Sequence, residues 1–135
     1  VYDSFAGLPE KTQADASAAG EQFKAGELLA PRKTFIQNFK KAGLKIPTIH
    51  KGWFADFTPE DVPESISFAF FDGDFYESIT DSFRLCDGKF QKRATIVVDD
   101  YANEALPGAA RAVDAWLRRH PARLIVEASL AIIRE

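Results

Sequence analysis

Sulfur and imidazole ligands are nearly missing from this chain. Its one cysteine, Cys86, excludes an intramolecular disulfide and any cysteine-rich zinc site, and its two histidines, His50 and His120, lie far apart in sequence. A metal bound here must be held mainly by oxygen. Basic charge is not in excess either. A formal net charge of -3 and a pI near 5.4 give no general field for attracting phosphate backbones, so nucleic acid is not an expected partner. Apolar runs such as Ile66 to Phe71 and Ile96 to Val98 are strand-length rather than membrane-length, and no charged-apolar-small leader pattern opens the sequence. No membrane partner and a cytoplasmic location are therefore expected. There is no internal repeat, and no G-x-x-x-x-G-K-[ST] phosphate loop to make an ATPase of the strand at Val97.

What remains is ordinary for a folded protein: 135 residues with 46% hydrophobic and 27% charged content, enough for one core and one domain over 1–135. Buried strands alternate with amphipathic helices, the pattern of a mostly parallel α/β sheet. Val1 to Asp3 reads as the end of a strand, Ser4 to Pro9 as a loop, and the polar, Ala-rich stretch from Lys11 to Gly20 as a surface lid or linker. Pro31 opens a helix over Lys33 to Gly43 with Phe35, Ile36 and Phe39 on one face and Gly43 as C-cap. A strand at Thr48 to His50 leads into Gly52-Trp53-Phe54. Ser65 to Phe71 is a near-continuous apolar run, expected of a central strand covered on both faces. A helix over Tyr76 to Phe90, a strand over Ala94 to Val98, and a helix from Pro107 to about Arg119, stopped by His120-Pro121, follow. Arg123 to Val126 and Leu130 to Ile133 are predicted to form an antiparallel hairpin. No glycine-rich G-x-G turn precedes Val1, so the first strand and nucleotide-cradling loop of such a sheet are expected to lie outside this sequence.

Two predicted strand ends deliver acids: Asp72-Gly73-Asp74 and Asp99-Asp100. Open α/β sheets bind ligands at the carboxyl ends of their strands, so the two motifs should face one crevice. Converging carboxylates repel unless protons or a cation neutralise them, and hard oxygen ligands suit Mg²⁺ or Mn²⁺. Any one of these aspartates could equally be a helix cap. Asp3, at another strand end, could accept hydrogen bonds from a ribose. Trp53 and Phe54 could stack on a purine, with core packing as the alternative. Tyr76 and Tyr101 follow the acidic pairs and are candidates for lining a substrate cavity, or for structural hydrogen bonds.

Taken in order, Val1-Tyr2-Asp3-Ser4-Phe5-Ala6-Gly7-Leu8-Pro9, Lys51-Gly52-Trp53-Phe54, Asp72-Gly73-Asp74-Phe75-Tyr76-Glu77-Ser78 and Val97-Val98-Asp99-Asp100-Tyr101 resemble the macrocin O-methyltransferase (TylF) family. That family includes sugar O-methyltransferases of antibiotic biosynthesis. The resemblance implies a Rossmann-like class I methyltransferase fold that binds S-adenosylmethionine and Mg²⁺ (or Mn²⁺). Asp72, Asp99 and Asp100 fall on the metal positions and Asp74 on the general base, so Asp72 and Asp74 are the candidate catalytic residues. The cofactor is expected against Asp3, Ser4, Gly52, Trp53, Phe54 and Asp72. Asp56-Phe57-Thr58-Pro59 and Phe90-Gln91-Lys92-Arg93 depart from the family's Asp-Thr-Leu-Pro and Ser-Pro-Gly-Gly.

Methyl transfer is an in-line displacement, so the acceptor oxygen must be aligned behind the methyl group and made nucleophilic. A divalent ion chelated by neighbouring oxygens does both, which points to a hydroxylated small molecule, a sugar diol or catechol-like ring, as substrate. Two rivals remain at the level of sequence. One is a haloacid-dehalogenase-like phosphohydrolase using Asp72 and Asp74, although its second acidic pair would follow too closely. The other is a non-catalytic methyltransferase remnant acting as an interaction module. A homo-oligomer is compatible with either.

Overall fold

The punctuation of the sequence by Pro and Gly sets the element boundaries. The computed structural model describes residues 1–19 and 22–134. Strand β1 (Tyr2–Asp3) is followed by helix α1 (Arg32–Lys41), β2 (His50–Lys51), β3 (Ile66–Phe71), α2 (Tyr76–Cys86), β4 (Phe90–Val98), α3 (Pro107–Leu117), β5 (Arg123–Glu127) and β6 (Leu130–Arg134). β1 and β2 form a parallel pair, and the other strands form a sheet in the order β3-β4-β6-β5. Within it β3 and β4 are parallel, whereas β6 runs antiparallel to both β4 and β5, which gives the expected C-terminal hairpin.

Helices α2 and α3 lie against one face of this sheet. Their apolar sides, Ile79 and Phe83 from α2 and Ala112, Val113 and Trp116 from α3, pack onto Phe71, Ile96, Val98, Ala131 and Ile133. Phe83 lies between Phe71, edge-on at 5.1 Å, and Trp116, stacked at 4.6 Å, an arrangement that aromatic quadrupoles favour.

Three expectations are corrected. Among the described residues β3 lies at the edge of its sheet with one face covered rather than two: Phe68 is 61% and Phe70 50% exposed. An all-apolar run looks the same whether one face or two is covered, and here α2 and α3 cover only the face that carries Phe71. Helix α2 ends at Cys86 rather than Phe90 because Gly88 turns the chain at φ 71, and the strand starts correspondingly early. The register slips between Ile66 and Phe68, so β4 uses more residues than β3 over that stretch. Finally, the Lys11 to Gly20 stretch is not only a surface strap. It carries a 3-10 turn, Gln13–Asp15, whose Asp15 is buried, while Gly20 lies outside the described residues.

The C-terminal end of α1 is as read. Gly43 sits at φ 67, with its N–H bonded to the Lys40 carbonyl and the Leu44 N–H bonded back to Phe39. A Cβ there would touch nothing within 4 Å, so only backbone strain opposes it. Gly43→Ala is expected to cost about 1 kcal/mol and lower the melting temperature by about 3–5 °C, read by thermal denaturation.

Candidate functional site

Parallel pairing brings strand ends together, and here it gathers the acids. Asp3 ends β1, Asp72 follows β3, and Asp99 follows β4 with its N–H bonded to the Phe71 carbonyl at 2.9 Å. A cleft of about 230 Å³ opens at these ends, lined by Asp3, Ser4, Gly52, Trp53, Phe54, Asp72, Gly73 and Asp74 among others. Beside it, between β1 and β3, lies an apolar cavity of about 720 Å³, bordered by Val1, Phe35, Phe68, Phe70 and Leu85.

Asp72, Asp99 and Asp100 each offer a carboxylate oxygen, and these oxygens all lie within 4.8 Å of one another. The Asp99 carboxylate accepts from the Asp100 N–H at 2.9 Å and from the Ser129 hydroxyl at 3.3 Å, and Asp100 accepts from the Asn103 amide at 2.8 Å. Among the described residues no Lys, Arg or His forms a salt bridge with any of the three. Asp74 and Asp100 both adopt left-handed backbone, φ 59 and 56. Aspartate tolerates this conformation better than most residues, and such outliers gather at functional sites.

This crowding shows in the proton affinities. Burial, and then the neighbouring carboxylates of Asp99, Asp100 and Asp3, raise the Asp72 carboxyl above its usual range. Burial, and then Asp72, Asp100 and Asp99, push Asp74 up to about 7 from an ordinary 3.8. In the ion-free chain, between about pH 4 and pH 7, the folded state keeps a proton at Asp74 that the unfolded state releases. The stabilisation is therefore complete below pH 4 and is lost as pH rises through 7. Ion-free protein is expected to melt at a lower temperature at pH 7.5 than at pH 5.5, and a millimolar divalent cation should shrink that difference. A melting temperature that rises over this interval without added cation would contradict the assignment.

The sequence profile of the macrocin O-methyltransferase (TylF) family matches residues 1–127. The chain belongs to this family. No curated protein matches it in sequence. Among solved structures, the O-methyltransferase NovP superposes on the whole chain with a TM-score of 0.81 at 24% identity, and calicheamicin methyltransferase CalS11 on 98% of it with a TM-score of 0.80 at 20% identity. These likenesses establish the methyltransferase fold. The chain spans 58% of the length of each of those two proteins.

Within this TylF-family chain, the cleft collects all of Asp3, Ser4, Gly52, Trp53, Phe54, Asp72 and Asp74. Asp3 already accepts the Phe5 N–H at 2.6 Å, and the Ser4 hydroxyl accepts the Ala6 N–H at 3.1 Å, so both side chains shape the turn that follows β1. Tyr76 borders a different groove, between α2 and α3, with Phe83 and Trp116. The Tyr101 hydroxyl donates to Asp114 at 3.0 Å, and burial, then this bond, raises its pKa. Several cleft residues escaped the sequence reading. Leu8, Pro9, Leu28, Ala30 and Ser78 also line it. Leu28 carried no signal at all, being a lone apolar residue in an irregular segment. Asp15, which lies outside the cleft, did carry one: Thr12-x-x-Asp15 has capping-box spacing, and both reciprocal bonds of the box are present.

Proposed function

We propose that this chain is the core of an S-adenosylmethionine-dependent O-methyltransferase whose Asp72, Asp99 and Asp100 hold Mg²⁺ or Mn²⁺, and whose acceptor is a hydroxyl with a neighbouring oxygen. The observation that carries the reading is the convergence of those three carboxylates beside the cleft with, among the described residues, no salt bridge to a basic side chain. The donor set is all oxygen and net negative, which fits a hard divalent cation. When bound, such an ion lowers the pKa of a chelated hydroxyl, and S-adenosylmethionine supplies the methyl group.

The chain's own residues do the rest. Asp74 sits beside the triad where it can take the acceptor's proton at its carboxylate, and its burial, which raises its proton affinity, makes it a stronger base than an ordinary aspartate. Trp53 and Phe54 offer ring faces for the adenine, and Asp3 an acceptor for the ribose hydroxyls. Asp74 is partly buried in the turn, whereas Asp72 is open to solvent and so accessible to an incoming ion. Among the structural relatives, CalS11 is described as a TDP-rhamnose 3'-O-methyltransferase, and a sugar diol is the acceptor class that we favour over a catechol-like ring.

Calorimetric titration of S-adenosylhomocysteine and of Mg²⁺ into the parent and into an Asp72→Ala/Asp99→Ala double variant tests the reading. Binding of both by the parent, with loss of Mg²⁺ binding in the double variant, is the expected result. A parent that binds Mg²⁺ no better than the variant would overturn it.

A further inference from the structure

Helix α2 begins at Tyr76, two residues after Asp74, and its N-cap Phe75 supplies no side-chain hydrogen bond. The first amides of a helix need acceptors. One comes from far along the chain: the Tyr76 N–H donates to Oδ1 of Asp15 at 2.7 Å. The other oxygen, Oδ2, accepts the Thr12 N–H and the Thr12 hydroxyl, both at 2.9 Å. Asp15 is only 2% exposed, an unusual place for a carboxylate, and the three donors together with the positive end of α2 make it tolerable.

The same carboxylate also abuts α3. Gly108 is the second residue of α3, and a Cβ built on it would lie 2.0 Å from Asp15 Oδ1 and 2.6 Å from the Tyr76 nitrogen. Glycine is thus required for α3 to approach both. The turn around Asp15 is tied to the α3 side by two further contacts. The Ser17 hydroxyl donates to the Glu104 carbonyl at 2.6 Å, and the Arg111 guanidinium donates to the carbonyls of Ala14 and Ala16. The Asp72–Asp74 turn enters α2 and the segment that begins at Asp99-Asp100 enters α3, so one buried carboxylate sits where the two acid-bearing loops are brought together.

We propose that Asp15 is a positioning residue: by holding the start of α2 against the start of α3 it sets the spacing of Asp72 from Asp99 and Asp100, and hence the affinity of the triad for a divalent ion. The proposal rests on the reading of the triad as an ion site. Asp15 touches neither the ion position nor the cleft. It acts only through the helix starts, much as outer hydrogen-bond partners orient metal ligands elsewhere.

The test is calorimetric titration of Mn²⁺ into the parent, Asp15→Asn, Thr12→Val and Arg111→Met, with the melting temperature of each measured alongside. Asparagine keeps the size of Asp15 but sets an N–H₂ against the Thr12 donors or the Tyr76 N–H. Asp15→Asn is expected to weaken Mn²⁺ binding about tenfold or more. Thr12→Val, which removes one partner of Asp15 and touches neither helix, is expected to weaken it by a smaller factor, and it decides the matter if Asp15→Asn does not fold. Arg111→Met, which loosens the same turn without altering Asp15's own bonds, should lower the melting temperature but leave Mn²⁺ affinity within about twofold. Unchanged Mn²⁺ affinity in the Asp15 and Thr12 variants overturns the proposal. So does a loss of affinity that tracks melting temperature across all three variants, because that would make Asp15 an ordinary structural anchor. A parent that binds no Mn²⁺ is a separate outcome: it removes the ion-site reading itself, and this proposal with it.

Discussion

Asp99→Asn is expected to do two opposite things: bring divalent-cation binding down by about a hundredfold or more, and raise the melting temperature of the ion-free protein near neutral pH. The substitution keeps the shape of the side chain. Its carbonyl oxygen can still accept the Asp100 N–H and the Ser129 hydroxyl that hold Asp99 now, so the loop at the end of β4 has no reason to move. What changes is one negative charge out of three. For an ion held by carboxylates, losing one of them removes a ligand with its full charge, where disturbing an outer partner alone costs about 10–100-fold. For the ion-free chain, the same loss relieves Asp72 and Asp74, both of whose carboxyls Asp99 helps to push up. On the proposed reading, methyl transfer should fall with ion occupancy, by about two orders of magnitude or more, in keeping with the loss of an electrostatic element of a reacting centre. Calorimetry with Mn²⁺ and a melting curve in chelator measure the two halves independently. If the cation binds the variant as tightly as the parent, the three carboxylates are not its ligands. If the ion-free variant melts lower, the carboxylates are not in mutual repulsion.

Ile96→Ala should destabilise the fold by about 2–5 kcal/mol. Ile96 is fully buried on β4, the strand that pairs with β3 on one side and β6 on the other, opposite Ala69 and Ile133. Removing its outer carbons opens a void under α2 and α3 that neither neighbour strand can close without leaving its ladder. Domains of this size are stable by about 5–15 kcal/mol, so the loss is a large part of the whole. Urea denaturation would show it as a fall in midpoint with little change in slope. A midpoint within experimental error of the parent would mean that the core collapses onto the gap, and that the α2 and α3 layer is far more plastic than its packing implies.

Much of this was readable from sequence because the physical signals were local. Continuous apolar runs that stop at Asp72 and Asp99 place both acids at strand ends, Pro107 opens α3, and the closely spaced runs at Arg123 and Leu130 fold back as a hairpin. What could not be read depends on partners distant in the chain. Phe68 and Phe70 look identical in sequence to Phe71, yet only Phe71 meets α2. Tyr101 follows the acid pair as a cavity residue might, and its hydroxyl is nonetheless engaged by Asp114 on α3. Asp15 shows its capping box locally, whereas its bond to Tyr76 spans 61 positions and has no local trace. The left-handed turns at Asp74 and Asp100 accord with aspartate's tolerance, but other aspartates in the chain do not adopt them.

The strand that presents Asp72 has a second consequence. From Ile66 to Phe71, β3 has no charge, no proline and, among the described residues, no hydrogen-bonded neighbour on the side away from β4. An edge of that kind is a template on which further chains can add, one strand at a time. In a sample of these 135 residues alone, losses on storage should therefore begin after a lag that shortens as the solution is concentrated, and a trace of old precipitate should seed a fresh sample. A lysine in place of Phe68, on the bare face, would act as a gatekeeper against that growth while leaving the acids at the strand's end where they are.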